Sequence, residues 1–381
     1  MWFLQIKILA VLLACSLALG ILLRLTEGRR RFRSVLLRLI PLADIGVILY
    51  VSEKLAVFYV GYLLVTFVFL LLLRKHRKGW LFALLCAACV VPLAYSRAAA
   101  QWTQLPMYGL TMVGIAYNML KAIDALYYTY YTDERIGFFD YASYLLFFPV
   151  ITAGPVFRYR DFSAQLRTLS GIDIDGLVYG VKRIIAGLFS KMVLSAAAAE
   201  LLKILTYREP RIWISLAIPI VSYLVLFFDM AGYASVAIGL SAFMGIKAPE
   251  NFKAPWKAAS FTQFWRNWHI TVSDWIREHV YVVFSKKRLN RWQNAGLALV
   301  VMVVMSLWHG SSVLFVVDGV LLGLLLALEN LLGLTTVKRK ANRFYRFFRC
   351  VVVNYLFALN TMLFTLSWPQ IVQVFGGFLK I

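Results

Sequence analysis

The stretch FWRNWHITVSDWIREHVYV, residues 264–282, decides how the rest of the chain is read. It is both aromatic and charged, in a sequence that is otherwise mostly apolar. Trp265, Trp268, Val272, Trp275 and His279 recur at intervals of three and four, which predicts one helical face. Arg266, Asn267, Asp274, Arg277 and Glu278 occupy much of the remainder. Such a helix suits an amphipathic position at a membrane interface, or a re-entrant segment buried in protein, and is unsuited to facing lipid across a bilayer. The Pro-punctuated run GIKAPENFKAPWKAAS leads into it, so residues 245–292 stand apart from the simple spans.

Outward from this segment the chain is 61% hydrophobic over 381 residues, with a mean hydropathy of +0.75. Soluble domains hold roughly 45–50% apolar residues, so the composition predicts a polytopic, all-α membrane protein. Cys15, Cys86, Cys89 and Cys350 lie mostly in apolar runs, where they read as small buried side chains and not as a disulfide framework. The net charge of +22 would point to nucleic acid in a soluble protein. Here the cations cluster in short loops, at 24–33, 74–78, 286–291 and 338–349, with no appended basic domain. That pattern fits cytoplasmic loops and anionic lipid headgroups, and excludes nucleic-acid binding.

Trp2 to Leu23 reads as a retained first span, because its strongly basic segment follows it, the reverse of a signal peptide. Residues 35–73 predict a helical hairpin turning near Ser52, Glu53 and Lys54. Further spans are expected at 80–95, 106–123, 137–153, 177–205, twice within 212–245, and at 295–317, 318–335 and 350–367. At about 20 residues per crossing this gives roughly 11–12 transmembrane helices. No repeat or long linker divides them. The chain is therefore expected to be one membrane domain, 1–381, with N-terminal spans to 135, a core over 136–317 and C-terminal spans over 318–381.

Three histidines stand out. His309, in VVMSLWHGSS (303–312), places an imidazole at membrane depth, where it needs either a hydrogen-bond partner or a task; both readings stay open. His269 and His279 lie in the amphipathic stretch. A zinc site would need three or four ligands at short paired spacing, and neither an HExxH run nor a nearby cysteine supplies them, so no metal is expected. A GxSxG elbow is missing as well. Asp229, in YLVLFFDMAGYAS, is a carboxylate in an apolar run: a site residue, or the partner of Lys182, Lys191 or an arginine.

Four blocks carry a resemblance: FFPVITAGPVFRYRDF (147–162), FDMAGYASVAIGLSAFMGIKAPENFKAPW (228–256), FWRNWHITVSDWIREHVYV (264–282) and SLWHG (306–310). In this order and spacing they resemble the membrane-bound O-acyltransferase family. Its paired signature is a histidine, or sometimes another polar residue, in the re-entrant region and a histidine about 40 residues later; here 40 residues separate His269 from His309. The wording of the second and third blocks, with the compact length, is similar to the branch that transfers D-alanine to teichoic acids. The polysaccharide O-acetyltransferases share the blocks in longer chains. The WRNWH and SDWIREH variants around His269 depart from the family pattern and alter the donor surface.

The resemblance implies helices around a central tunnel in a bacterial cell membrane, and acyl transfer from a thioester donor to a hydroxyl. No cofactor is held tightly; the donor's phosphopantetheine belongs to a small acidic D-alanyl carrier protein. The implied acceptor is teichoic or lipoteichoic acid, or an intermediate such as a small membrane peptide. An extracellular-side D-alanylation protein and membrane lipids complete the implied partners. His309 would be the general base. His269 would orient the donor and polarise its carbonyl, or brace the re-entrant helix. Substrate contacts are expected at Asp229, Tyr233, Trp265, Arg266, Ser273 and Trp308. Carrier docking is expected at Lys253, Lys257, Lys286, Lys287 and Arg288, with ordinary positive-inside bias as the other account of those charges. Exopolysaccharide O-acetylation, of alginate or cellulose, is the alternative enzyme reading, and a substrate-flipping transporter the non-enzyme one.

The charge distribution places the basic loops in the cytoplasm and the N-terminus outside. Cysteine reporters at Gly28, Lys78 and Lys340 are expected to label from the cytoplasmic face and one near Gln101 from the outside. Labelling of Gly28 and Lys78 from opposite faces would remove the hairpin over 35–73.

Overall fold

In lipid a peptide backbone must satisfy its own hydrogen bonds, and a long apolar run does so as a helix. The computed structural model describes residues 5–101, 114–281, 289–337 and 342–380, and its regular elements are helices. Among these residues the one β-type pairing is an isolated antiparallel bridge between Phe252 and Trp268.

The helices are α1 (Ile6–Leu25), α2 (Arg30–Val51), α3 (Glu53–Lys75), α4 (Gly79–Gln101), α5 (Ile115–Tyr131), α6 (Phe138–Leu146), α7 (Tyr159–Thr168), α8 (Ile174–Leu188), α9 (Ser195–Thr206), α10 (Ile212–Phe243), α11 (Phe261–Trp265), α12 (Ile270–Ile276), α13 (Arg291–His309), α14 (Val313–Leu331), α15 (Arg343–Thr365) and α16 (Trp368–Gly377). A π turn, Phe189–Leu194, joins α8 to α9. Among the described residues nine helices are long and apolar enough to cross a membrane, counting α8 through α9 as one. The hairpin expected over 35–73 forms: Ser52 is extended between α2 and α3, and its hydroxyl accepts the Leu55 N–H at 3.4 Å.

Three expected spans take another form. Residues 212–243 make one helix where two were expected, because the run holds no turn strong enough to reverse it. At 1.5 Å per residue it is about 48 Å long, beyond the ~30 Å hydrocarbon core. Residues 137–153 make only the nine-residue α6 and a 3-10 turn, Phe148–Val150, since Phe147 leaves helical geometry just before Pro149. The polar groups freed there are buried and find side chains: Asp44 accepts the Phe148 N–H at 3.2 Å, and Lys121 donates to the Leu145 carbonyl at 2.9 Å. Of the span expected at 106–123, residues 106–113 lie outside the described chain, and the rest opens α5.

The chain packs as two compact units, Met1–Ala186 with Ala234–Pro249, and Gly187–Tyr233 with Glu250–Ile381. In the first, the block 147–162 is a hub of buried aromatics, Tyr144, Phe147, Phe157, Tyr159 and Phe162, with ring centres 5.2–5.8 Å apart. Asp124 anchors it by accepting the Tyr159 N–H at 2.6 Å and the Tyr144 hydroxyl at 3.2 Å.

In the second unit, α13 and α14 form a close hairpin. Gly319 and Gly323 of α14 face α13 with so little space that an added Cβ at Gly319 would lie 2.6 Å from the Val303 Cα, and one at Gly323 2.8 Å from the Leu299 Cα. Small residues four apart let helix backbones approach where no hydrophobic force drives them together. Another core of this unit joins Leu202, Ile218, Val221, Met362, Ile371 and Val374.

Gly319→Val is therefore expected to destabilise the protein by about 1–3 kcal/mol through overpacking, read as a fall in detergent melting temperature. Gly296→Ala in α13, where an added Cβ meets nothing within 4 Å, is the control that leaves melting unchanged or higher.

Candidate active site

His269 owes its position to a clasp between two short irregular segments. Ile270 N–H donates to the Asn251 carbonyl at 2.9 Å, and Lys253 N–H donates to the Asn267 carbonyl at 3.0 Å, flanking the Phe252–Trp268 bridge. The Asn251 side-chain oxygen also accepts the Thr271 N–H at 3.2 Å and its hydroxyl at 2.7 Å. The clasp drives His269 into the left-handed region, φ 46° and ψ 48°. For a non-glycine residue that costs on the order of 1–3 kcal/mol, and such strain clusters at functional sites. The continuous helical face expected from Trp265 to His279 is thus broken: α11 stops at Trp265, the chain turns through 266–269, and α12 starts at Ile270.

The start of α11 is fixed by a charge. Glu329, 5% exposed near the end of α14, accepts the N–H groups of Phe261 at 2.7 Å and Thr262 at 2.8 Å, and the Thr262 hydroxyl at 2.7 Å. A carboxylate on the free N–H groups of a helix start replaces the water that the site lacks. Trp268 then packs in an aromatic cage, stacked on Tyr223 and Phe264 at 5.6 and 5.5 Å and edge-on to Phe252 and Phe357, both at 5.1 Å.

His309 arrives from the other side, as the last residue of α13. The helix ends there because Gly310 is extended, and α14 begins at Val313, so the boundary expected at 317 falls earlier. Gly310 is needed for space: an added Cβ would lie 2.0 Å from the Phe315 ring. Phe315 packs on Phe364 at 5.2 Å, and Phe364 meets His309 edge-on at 5.8 Å. The structure brings the two histidines together, ring centres 6.3 Å apart, with Trp308 4.7 Å from His309 and 6.0 Å from His269.

Beneath this pair lies a cluster that the sequence reading missed. Asp318 of α14, 2% exposed, accepts hydrogen bonds from the Ser306 hydroxyl and the Asn360 amide. Ser306 is one turn before His309, and Asn360 one turn before Phe364. One carboxylate therefore ties together α13, α14 and α15 at the level that sets the His309 ring. The available signal was Asp318 itself, a lone carboxylate in VLFVVDGVLLGLLL.

The other expected residues divide between this cage and other places. Asp229 pairs with Lys191 of the π turn, whose ammonium also lies 5.9 Å from the Tyr233 ring centre; these three form a separate cluster. Ser273 donates to the Trp268 carbonyl at 3.3 Å, Trp265 stands edge-on to Phe357 at 5.9 Å, and Arg266 is exposed. Lys253 and Lys257 are exposed; Lys286, Lys287 and Arg288 lie outside the described residues. His279 stacks on Trp275 at 4.4 Å and bonds its carbonyl at 3.0 Å, away from the pair. Among the described residues no three His, Cys, Asp or Glu side chains gather as a metal ion would require.

His269 is 1% exposed. Burial, and secondly the neighbouring His309, push its pKa down to about 3, so its ring is neutral at physiological pH. A neutral imidazole offers one N–H donor and one acceptor nitrogen. Two such rings facing each other can accept a proton at one and donate a hydrogen bond at the other.

Residues 68–367 match the membrane-bound O-acyltransferase (MBOAT) family. The probable alginate O-acetylase AlgI of Pseudomonas fluorescens is 30% identical over 240 residues, 61% of this chain and 48% of that protein. The teichoic acid D-alanyltransferase of Bacillus subtilis is 28% identical over 349 residues, 86% of this chain and 87% of its own. The peptidoglycan O-acetyltransferase of Helicobacter pylori is 29% identical over 201 residues, 51% of this chain and 37% of its own. The chain thus spans about half the length of the alginate O-acetylases it matches. With the nine membrane-length helices, these matches make it a multi-pass bacterial membrane protein.

The depressed pKa of His269 gives a pH test. An unfolded histidine titrates near 6.5, so between pH 6.5 and about 3 the unfolded chain binds one proton more than the folded one. Stability from this group is complete above pH 6.5 and is lost as pH falls through that window. With four histidines in the chain, selective ¹⁵N labelling resolves them, and the His269 ring is expected to keep its neutral shifts at pH 5. Titration of His269 near 6.5 would show that the ring is open to water.

Proposed function

The chain belongs to the membrane-bound O-acyltransferase family, and from that premise we propose that it is an acyltransferase, moving D-alanine from a carrier-protein thioester to a hydroxyl of teichoic or lipoteichoic acid, directly or through an intermediate acceptor. The observation that carries the chemistry is the facing pair, His269 and His309, with ring centres 6.3 Å apart. The observation that favours D-alanine is extent: the match to the Bacillus subtilis D-alanyltransferase runs through most of both chains.

The pair supplies what a hydroxyl acceptor needs. The hydroxyl oxygen attacks the thioester carbonyl carbon while a neutral ring nitrogen of His309 accepts its proton. The carbonyl oxygen becomes an oxyanion, toward which the N–H of His269 donates without a charge of its own. The tetrahedral intermediate collapses with cleavage of the carbon–sulfur bond, and the departing phosphopantetheine thiolate takes the proton from His309. Asp318 acts through Ser306 and Asn360, holding the helices that aim the ring. The donor's phosphopantetheine stays on an acidic carrier, for which exposed Lys253 beside the clasp is a contact of matching charge. An extracellular D-alanylation partner belongs to the same scheme.

A second reading, O-acetylation of an exopolysaccharide, is favoured by the alginate O-acetylases among the relatives, which match at 29–30% identity. The donor separates the two: discharge of D-alanyl carrier thioester by the purified protein supports the first, and discharge of an acetyl donor alone supports the second.

For the chemistry, His309→Ala is expected to insert and melt near normally, to bind carrier, and to lose single-turnover acyl transfer by about 10²–10⁴. His269→Ala is expected to lose less, by a factor that changes with the donor. Transfer near the wild-type rate by His309→Ala would reject the mechanism, and loss of transfer together with lowered melting would make His309 a structural residue.

A further inference from the structure

Apart from the histidine pair, the second unit carries a groove of about 820 Å³ with a mainly apolar lining and three cations. One wall is α10 at Ile220, Tyr223 and Leu224; the other is a single face of α15 from Arg343 to Ala358, with Trp256 and Lys257 of the 3-10 turn Pro255–Lys257 between them in the lining. Along α15 that face runs about 22 Å at 1.5 Å per residue. Arg343, Arg346 and Lys257 supply its positive charge; all three are exposed, and among the described residues none has an ion-pair partner. Arg349, by contrast, reaches Glu329 at 4.0 Å and is not in the lining. Farther along α15 the lining is mostly apolar, with Phe347, Val351 and Ala358, interrupted by the Asn354 amide, which donates to the Cys350 and Trp256 carbonyls at 2.8 and 3.2 Å.

Cations at one end and hydrocarbon along a membrane-spanning helix call for an amphiphile. A soluble acidic protein meets charges at a water surface but does not follow an apolar wall into the bilayer. Basic pockets between membrane helices bind anionic headgroups, and an exposed tryptophan such as Trp256 belongs at headgroup depth. A further observation points to a ligand. Tyr223, 8% exposed, lines the groove with its hydroxyl buried and, among the described residues, without a hydrogen-bond partner. A buried hydroxyl left unpaired is costly, and an ester oxygen in the groove would accept its hydrogen bond.

We propose that this groove is a binding site for one anionic phospholipid. Its phosphate lies against Arg343, Arg346 and Lys257, one acyl chain lies along Phe347, Val351 and Ala358, and an ester oxygen accepts the Tyr223 hydroxyl. Tyr223 is shared with the aromatic cage around Trp268, while the three cations and the α15 face stand apart from the histidine pair.

The test is native mass spectrometry of the delipidated full-length protein titrated with phosphatidylglycerol or phosphatidylcholine in one detergent. Phosphatidylglycerol is expected to bind at least tenfold tighter. Arg343→Gln with Arg346→Gln is expected to weaken it by about fivefold for each charge removed, leaving phosphatidylcholine unaffected. Arg74→Gln with Lys75→Gln, two exposed cations of another basic loop, is expected to leave the preference intact. Val351→Trp, which fills the apolar part, is expected to weaken both lipids. Equal affinity for the two lipids, or phosphatidylglycerol binding unchanged in the Arg343/Arg346 variant, would overturn the proposal. So would loss of acidic-carrier binding in that variant with lipid binding intact, which would assign the cations to a protein surface.

Discussion

Wherever the backbone of this protein leaves helical form out of reach of water, a buried polar side chain has to stand in for solvent. The break at Phe147 survives because Asp44 and Lys121 meet the groups it frees. The start of α11 survives because Glu329 meets two of its N–H groups. The turn at His269 survives because Asn251 bonds on both its backbone and its side chain. Each repair is long-range in sequence, so the few polar residues in the apolar runs decide which irregular segments exist. The histidine pair is a product of these repairs: one ring comes from a broken helix and the other from a helix end.

The features visible in the sequence are those that depend on a residue's own neighbourhood. Hydropathy and length located most of the spans, and the SEK turn located the α2–α3 hairpin. The aromatic and charged mixture of 264–282 marked a segment unsuited to spanning, whereas His269 and His309 were singled out as a pair only by the resemblance to the family. Features that depend on distant partners were hidden. The period of Trp265 to His279 is helical throughout, yet the clasp with 251–253 breaks it, and a periodicity does not register a partner strand. In 212–243 the length suited nearly two spans, and only the absence of a turn distinguishes one long helix. Asp229 and Asp318 carry the same signal, a carboxylate in an apolar run; the structure gives Asp229 to Lys191 and puts Asp318 beneath His309.

Polarity inside the site is kept low by design of the walls. Tyr223, Phe264, Phe252 and Phe357 enclose Trp268, while Phe364 and Trp308 bound His309, so much of the wall is aromatic. Burial at His269, and secondly the neighbouring His309, disfavours the imidazolium there. Gly310 contributes by omission: with no Cβ there, Phe315 fits beside the helix end and supports Phe364. A glycine next to a histidine is a weak motif in sequence, and here it has a steric reason.

The left-handed backbone at His269 also acts as a filter on heredity. Few side chains tolerate that conformation: glycine freely, asparagine, aspartate and histidine at modest cost, and β-branched residues at a severe one. Replacement by isoleucine, valine or threonine at this position would be penalised by the backbone before any chemistry was lost. The shape of the main chain therefore narrows the alphabet at this position to a handful of residues, most of them able to hydrogen-bond, and so keeps a polar group in the pocket across changes of sequence.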